Sequence, residues 1–347
     1  MSRPPRFVLL SLVAALLALA PPVRAARLEV IELQSKVLQG NPLGDPTERH
    51  VAVYVPSESK PETPLPLVIY LPGWGSSCED AIAQGTGAFF HAVVNQLAAN
   101  GTPVRIAVVD GRCRYGGNQF LNSSATGRYA DYVADELFLE LFGRYRFDGP
   151  MSSGCIVAGH SSGGYGALML AMSRHDRFRA VVAMSPDSDF PDTHLPMVED
   201  PAVRAVKLAD LALASAPAGE QKIAPGVPLY IVGLSAMYAP VAGQPRRFEW
   251  PYDNKGKWRP EVWKRWLEHD PLTVAQQKPD AFAPTQRIYL EGAAEDEFKA
   301  NVGARKIYEA LLTRDLPVKF REPAGHHSDN LGDRLLEGLR FVLGTGR

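Results

Sequence analysis

The run Cys155-Ile156-Val157-Ala158 leads directly into Gly159-His160-Ser161-Ser162-Gly163-Gly164-Tyr165-Gly166, and Ala167-Leu168-Met169-Leu170-Ala171-Met172 follows. A short buried strand, a turn of small residues with a serine at its apex, and a helix thus stand in immediate succession. No other feature restricts the fold as much. So tight a turn is expected to hold Ser161 in a strained backbone conformation with its Oγ raised above the sheet. Gly159 and Gly163 are required because a side chain at either would strike the neighbouring strand or helix. A bare Gly-x-Ser-x-Gly occurs by chance in ordinary Gly/Ser turns. The strand before it and the helix after it give this one meaning as a nucleophile-bearing elbow.

The rest of the chain supplies the context such an elbow needs. Arg27 to Gln34 and His50 to Val55 alternate apolar and polar residues, as edge or antiparallel strands do, with the turn Asn41-Pro42-Leu43-Gly44-Asp45 between them. Leu65 to Leu71 and Val104 to Val109 are continuous apolar runs suited to parallel strands covered on both faces. Helices are expected over Phe89 to Ala99 and over Tyr129 to Phe142, where Ala134, Leu137, Phe138 and Leu141 share a face. Ala180 to Met184, Arg287 to Leu290 and Val318 to Arg321 read as strands, and Ala304 to Leu312 and Leu331 to Leu343 as helices. This alternation predicts a doubly wound, mostly parallel sheet, the α/β-hydrolase fold, in a single domain over residues 26–347.

One segment breaks the alternation. Residues 187–286 are rich in proline and aromatics, weakly periodic, and hold four of the five tryptophans: Trp250, Trp258, Trp263 and Trp266. Pro228 to Val232 reads as an extra strand. An insertion between late strands overhangs the carboxyl edge of the sheet, where ligands bind, so the segment is expected to form a cap. Trp263 and Trp266 lie at helical spacing and suit packing. Trp250 and Tyr252 flank a proline in a loop and are expected to face substrate.

Arg3 and Arg6 precede the apolar stretch Phe7 to Ala20, and Pro21-Pro22-Val23-Arg24-Ala25 follows. Basic, apolar and small-residue zones in that order predict a signal peptide over 1–25, cleaved after Ala25, and a periplasmic or secreted product. The apolar stretch is shorter than the ~20 residues a spanning helix needs, so no stable membrane insertion is expected after cleavage. A formal net charge of −1 gives no electrostatic case for a nucleic-acid partner. In an oxidising compartment, Cys78 and Cys113, each after a strand on the same side of the sheet, are candidates for a disulfide. Cys155 is expected simply to pack. The cysteine spacings do not resemble a zinc site, and no metal is expected.

A serine hydroxyl needs a base, and the base needs an acid to orient it. In this fold the chain order is serine, acid, histidine. The last strand is followed by Glu322-Pro323-Ala324-Gly325-His326-His327, and the Pro-x-Gly-His spacing favours His326 as the base over His327. The preceding strand runs into Glu291-Gly292-Ala293-Ala294-Glu295-Asp296-Glu297. Counting from Gly292 favours Glu295; counting back from the next helix, and residue type, favour Asp296, which is preferred here. Glu291 belongs to the strand end, and Asp187 and Asp189 are outside candidates. His160 lies in the elbow with its side chain turned from the Oγ. The two oxyanion donors are expected to be the backbone N–H of Ser162 and that of Trp74, in the loop Pro72-Gly73-Trp74-Gly75 where glycines let the backbone approach substrate.

At these residues the chain resembles the esterase D family of α/β-hydrolases, which includes S-formylglutathione hydrolases, siderophore and feruloyl esterases and secreted mycolyltransferases. The resemblance covers most of residues 26–347. It rests on Tyr70-Leu71-Pro72-Gly73-Trp74, on Gly117-Asn118-Gln119-Phe120-Leu121-Asn122-Ser123 with Asp135-Glu136-Leu137, on the elbow 159–168, and on Glu322-Pro323-Ala324-Gly325-His326, similar to the family's Pro-Gly-Gly-His. Ser162 replaces a common methionine, the acid loop is one residue longer, and the aromatic that often follows the histidine is absent. The resemblance implies cofactor-free hydrolysis of carboxylic esters through an acyl-enzyme. The leading expectation is an exported serine esterase acting on a small or oligomeric ester. The intracellular location of the glutathione pool disfavours formylglutathione. An acyltransferase using a hydroxyl acceptor is the alternative, and a non-catalytic binding protein on this scaffold a more remote one.

Overall fold

The structure, a computed structural model, describes residues 25–83, 87–149, 154–206, 226–278 and 280–345. The basic and apolar segment 1–24 on which the signal-peptide expectation rests lies outside the described residues. Among the described residues no helix is long and apolar enough to cross a membrane.

Eight strands build one sheet: β1 (Arg27–Gln34), β2 (Glu48–Val55), β3 (Leu67–Leu71), β4 (Arg105–Val109), β5 (Cys155–His160), β6 (Phe178–Met184), β7 (Arg287–Glu291) and β8 (Val318–Arg321). Their order is β1-β2-β4-β3-β5-β6-β7-β8. The β1–β2 and β2–β4 pairs are antiparallel and every later pair is parallel. This is the expected α/β-hydrolase fold. In the second half of β1 exposed and buried positions alternate, with Ile31 and Leu33 inward, as on an edge strand, while every residue of β3, β4 and β5 is buried.

Because side chains alternate across a strand, each central strand feeds two cores. Leu67, Ile69, Leu71 and Val157 join one; Val68, Tyr70, Ile156 and Ala158 join the other. Helices α1 (Ala88–Ala99) and, at the end of the chain, Leu331–Val342 cover the second face. The first face is covered by the helical run over 129–144, α2 (Ser162–Ser173), and the insertion between β6 and β7. The run over 129–144 holds a π-helical stretch at Tyr132–Leu137 between two α-helical ends.

One strand expectation fails here, and one open question of pairing is answered by the packing. Pro228 to Val232 is not a strand but part of helix α3 (Val227–Tyr238), with Pro228 in its first turn, where the missing N–H costs nothing. The candidate Cys78–Cys113 disulfide, which the sequence leaves open, is not formed. All three cysteines are free and buried, and Cys78 packs in the core on one face of the sheet while Cys113 packs in the core on the other. The Cys113 thiol hydrogen-bonds the Gly117 carbonyl at 2.7 Å.

Candidate active site

Ser161 joins β5 to α2 with φ 58° and ψ −124°, a conformation that side chains rarely adopt. It is held there from several sides. The Ser161 N–H donates to the Met184 carbonyl at 2.9 Å. A methyl group at Gly163 would collide with the Leu71 carbonyl oxygen, and one at Gly159 with the backbone at Gly163. Close packing of β3, β5 and α2 therefore admits only glycine at these two points, and the turn is forced to project Ser161 outward. The loop after β3 closes over it: a Cβ on Gly73 would lie 3.3 Å from the Ser161 Cβ.

Ser161 lines a cavity of about 650 Å³ at the carboxyl edge of the sheet. His327, Trp74 and Ser162 line the same cavity. The His327 ring is almost fully buried, and its Nδ1 lies 2.7 Å from Oδ2 of Asp296, whose side chain is fully buried. In the neutral ring Nδ1 therefore carries the hydrogen, and Nε2 is the nitrogen able to accept a proton. Burial pushes the Asp296 carboxyl up, but the His327 hydrogen bond and charge, the Ser185 hydroxyl and the Phe298 N–H outweigh it, so its pKa falls below the usual carboxylate range.

The structure departs from the favoured histidine. His326 is 62% exposed, and its Nδ1 lies 3.2 Å from the Glu295 carbonyl, outside the cavity. Glu295 is likewise exposed and faces His326 rather than His327. The reason is the backbone: Gly325 takes φ 113°, and the His326 N–H donates to Asp329 Oδ2 at 2.9 Å. This extra bend turns His326 outward and brings the next residue over the sheet. Glu291 ends β7, as expected, but is no surface residue. It pairs with buried Arg334, whose guanidinium also donates to the His327 carbonyl at 2.8 Å, the Asp329 carbonyl at 3.0 Å and the Ser185 hydroxyl at 2.7 Å. His160, which also lines the cavity with its ring 4.6 Å from that of His327, donates its Nε2–H to the same His327 carbonyl at 2.9 Å. Burial, then the neighbouring His327, pushes the His160 pKa down to about 3, so its ring is neutral. Arg334 and His160 were not identified as site residues from the sequence; only their places near the loop and in the elbow hinted at them.

The expected substrate contacts also move. Trp250 and Tyr252 do not line the cavity. Both are buried, with the Tyr252 ring against Trp258 and under the Arg204 guanidinium. Paired bridges, Pro240 with Phe248 and Tyr252 with Trp258, fold this stretch back on itself and draw the aromatics inward. Trp258, Trp263 and Trp266 continue that cluster. The insertion reaches the cavity instead through Asp187, Thr193, His194, Met197 and the start of α3, including Tyr230. The Trp74 and Tyr230 rings meet edge to face at 4.8 Å. A Cβ on Gly117 or Gly233 would strike the Trp74 indole, so both glycines make room for the ring. Asp187, an outside candidate for the acid, touches Ser162 rather than a histidine of the 326–327 pair; Asp189 pairs with Lys306. Among the described residues no cluster of three or more metal-ligating side chains occurs.

No curated protein shows significant similarity to this chain. Solved structures do. A ferulic acid esterase aligns with a TM-score of 0.57 and 18% identity, covering 93% of this chain and 99% of its own. An S-formylglutathione hydrolase from Agrobacterium tumefaciens gives 0.55 and 18%, covering 90% and 92%. The fluorophosphonate-binding serine hydrolase FphF of Staphylococcus aureus gives 0.56 and 13%, covering 93% and 100%. At these identities the likeness establishes the fold. Residues 45–331 match the family described as "Putative esterase". With most of its length matched, elbow and acid loop included, the chain belongs to this esterase family.

Proposed function

We propose that the protein is an exported serine esterase that cleaves carboxylic esters through an acyl-enzyme on Ser161, with His327 as base and Asp296 as its orienting acid. One observation carries this reading: the strained Ser161 and the Asp296-bound His327 open on one cavity. Ser161 Oγ attacks the ester carbonyl carbon as His327 Nε2 takes its proton. The oxyanion forms beside the backbone N–H groups of Trp74 and Ser162. The tetrahedral intermediate collapses, the C–O bond breaks, and His327 returns the proton to the leaving alkoxide. Water then attacks the acyl-enzyme by the same route and frees Ser161. Asp296 keeps His327 in the productive tautomer and stabilises the imidazolium. No cofactor enters these steps. The basic, apolar and small-residue pattern over 1–25 supports export.

The test is hydrolysis of 4-nitrophenyl butyrate by the purified protein and by Ser161→Ala. Turnover that drops by about 10⁴-fold or more in the variant supports the reading. Turnover that persists in Ser161→Ala removes the proposed nucleophile.

A further inference from the structure

We propose that the cavity above Ser161 takes esters carrying a positively charged ammonium group, with Asp187 as the counter-charge and the Trp74 and Tyr230 rings beside it. The proposal rests on the esterase reading for the word ester, and on the cavity alone for the cation. Asp187 stands three residues after β6 and lines the cavity. One of its oxygens, Oδ2, accepts three hydrogen bonds: from Gln119 Nε2 at 2.9 Å, Ser162 Oγ at 2.8 Å and the Tyr230 hydroxyl at 2.9 Å. These neutral donors fix the carboxylate in place but bring no positive charge to it. Among the described residues Asp187 makes no ion pair, and no lysine or arginine lines the cavity.

The hydrogens nearby are already committed. Thr193 donates its hydroxyl to the Ser188 carbonyl at 2.8 Å, with the Asp189 carbonyl at 3.1 Å. Its oxygen therefore accepts from His194 Nδ1–H, at 2.8 Å. That fixes the His194 tautomer and leaves Nε2 as a bare acceptor, 3.4 Å from the Tyr230 oxygen, whose own hydrogen points at Asp187. Burial pushes the His194 pKa down to about 4, so the ring does not supply the missing charge. On the side of Asp187 and His194 the cavity thus offers a carboxylate and an imidazole lone pair, both acceptors. Such a wall disfavours anions and matches a cation. A charge left uncompensated beside apolar surface is costly until a ligand brings its opposite. The Trp74 and Tyr230 rings line the same side of the cavity and give an alkylammonium apolar surface beside the carboxylate.

The test is calorimetric binding of choline and of its neutral isostere 3,3-dimethylbutan-1-ol to the full protein. Wild type is expected to bind choline at least about tenfold more tightly. The preference should fall to about twofold or less in Asp187→Asn, and persist in Tyr230→Phe, which keeps the charge. Equal binding of the two compounds by wild type overturns the proposal, and so does a preference that Asp187→Asn leaves intact. If Asp187→Asn does not fold, as judged by its melting curve, the wild-type preference and Tyr230→Phe decide. A second arm compares kcat/KM for butyrylcholine and 3,3-dimethylbutyl butyrate within each variant. Choline preference with no turnover of these esters or of 4-nitrophenyl butyrate sinks the esterase reading and leaves the cation site standing. Equal turnover of both esters without choline preference does the reverse.

Discussion

Replacing each of the two adjacent histidines separates their roles. His327→Ala deletes the proposed base and leaves Asp296, among the described residues, with the Phe298 N–H at 2.9 Å and the Ser185 hydroxyl. Losing a hydrogen bond to a buried charged group costs about 1.5–3 kcal/mol, against a typical total stability of about 5–15 kcal/mol. The variant is therefore expected to fold. Removing a general base that also protonates the leaving group lowers kcat by about 10⁴-fold or more, equivalent to about 5.5 kcal/mol of transition-state stabilisation. His326→Ala removes a ring that is 62% exposed, hydrogen-bonded to the Glu295 carbonyl and only loosely beside the exposed Glu295 and Glu297 carboxylates, so its effect on stability should stay within about 0.5 kcal/mol and on kcat within about threefold. Initial rates on 4-nitrophenyl butyrate, with kcat and KM resolved and circular-dichroism melts as the folding control, measure both. The reverse order of effects, or equal losses in two folded variants, would refute the assignment of His327.

Gly163→Ala places a methyl 2.6 Å from the Pro72 carbonyl oxygen and closer still to that of Leu71, so the protein should lose more than about 4 kcal/mol or fail to fold; a melting curve like wild type contradicts this. His160 and His194 are held neutral with pKa values of about 3 and about 4, below the unfolded value of 6.5. The unfolded chain then binds more protons than the native one below pH 6.5, and stability falls as pH drops from there toward 4, by roughly 2 kcal/mol per histidine at pH 5. A melting temperature that stays flat from pH 7 to pH 4.5 would count against this environment. Thiol titration should find Cys78, Cys113 and Cys155 unreactive in the native protein and all three reactive after unfolding, with two of them missing only if a disulfide forms.

The elbow was legible because its constraints are local: small residues, a strand before and a helix after leave Ser161 one conformation. The sheet was legible because burial on both faces writes continuous apolar runs into β3, β4 and β5. The insertion was harder. Pro228 to Val232 is apolar over too few residues for periodicity to tell strand from buried helix, and only the continuation to Tyr238 decides. Trp250 and Tyr252 look like loop aromatics because the pairing that buries them, Tyr252 with Trp258, is not visible in either stretch alone. Which of His326 and His327 faces the cavity turns on one residue of loop length, through the bend at Gly325 and the Arg334 guanidinium that holds the His327 carbonyl from the last helix. The acceptor wall at Asp187 draws on Gln119, Ser162, Thr193, His194 and Tyr230, residues far apart in the chain that no local pattern joins.

The central claim is that an ester's acyl group passes onto Ser161. The most direct measurement is intact-protein and peptide mass spectrometry after rapid acid quench of a reaction with a slowly deacylating 4-nitrophenyl ester. The account predicts one added acyl mass, located on Ser161, accumulating in wild type and absent in Ser161→Ala and His327→Ala. Steady turnover with no adduct under conditions where product release bursts, or an adduct on any other residue, would contradict it.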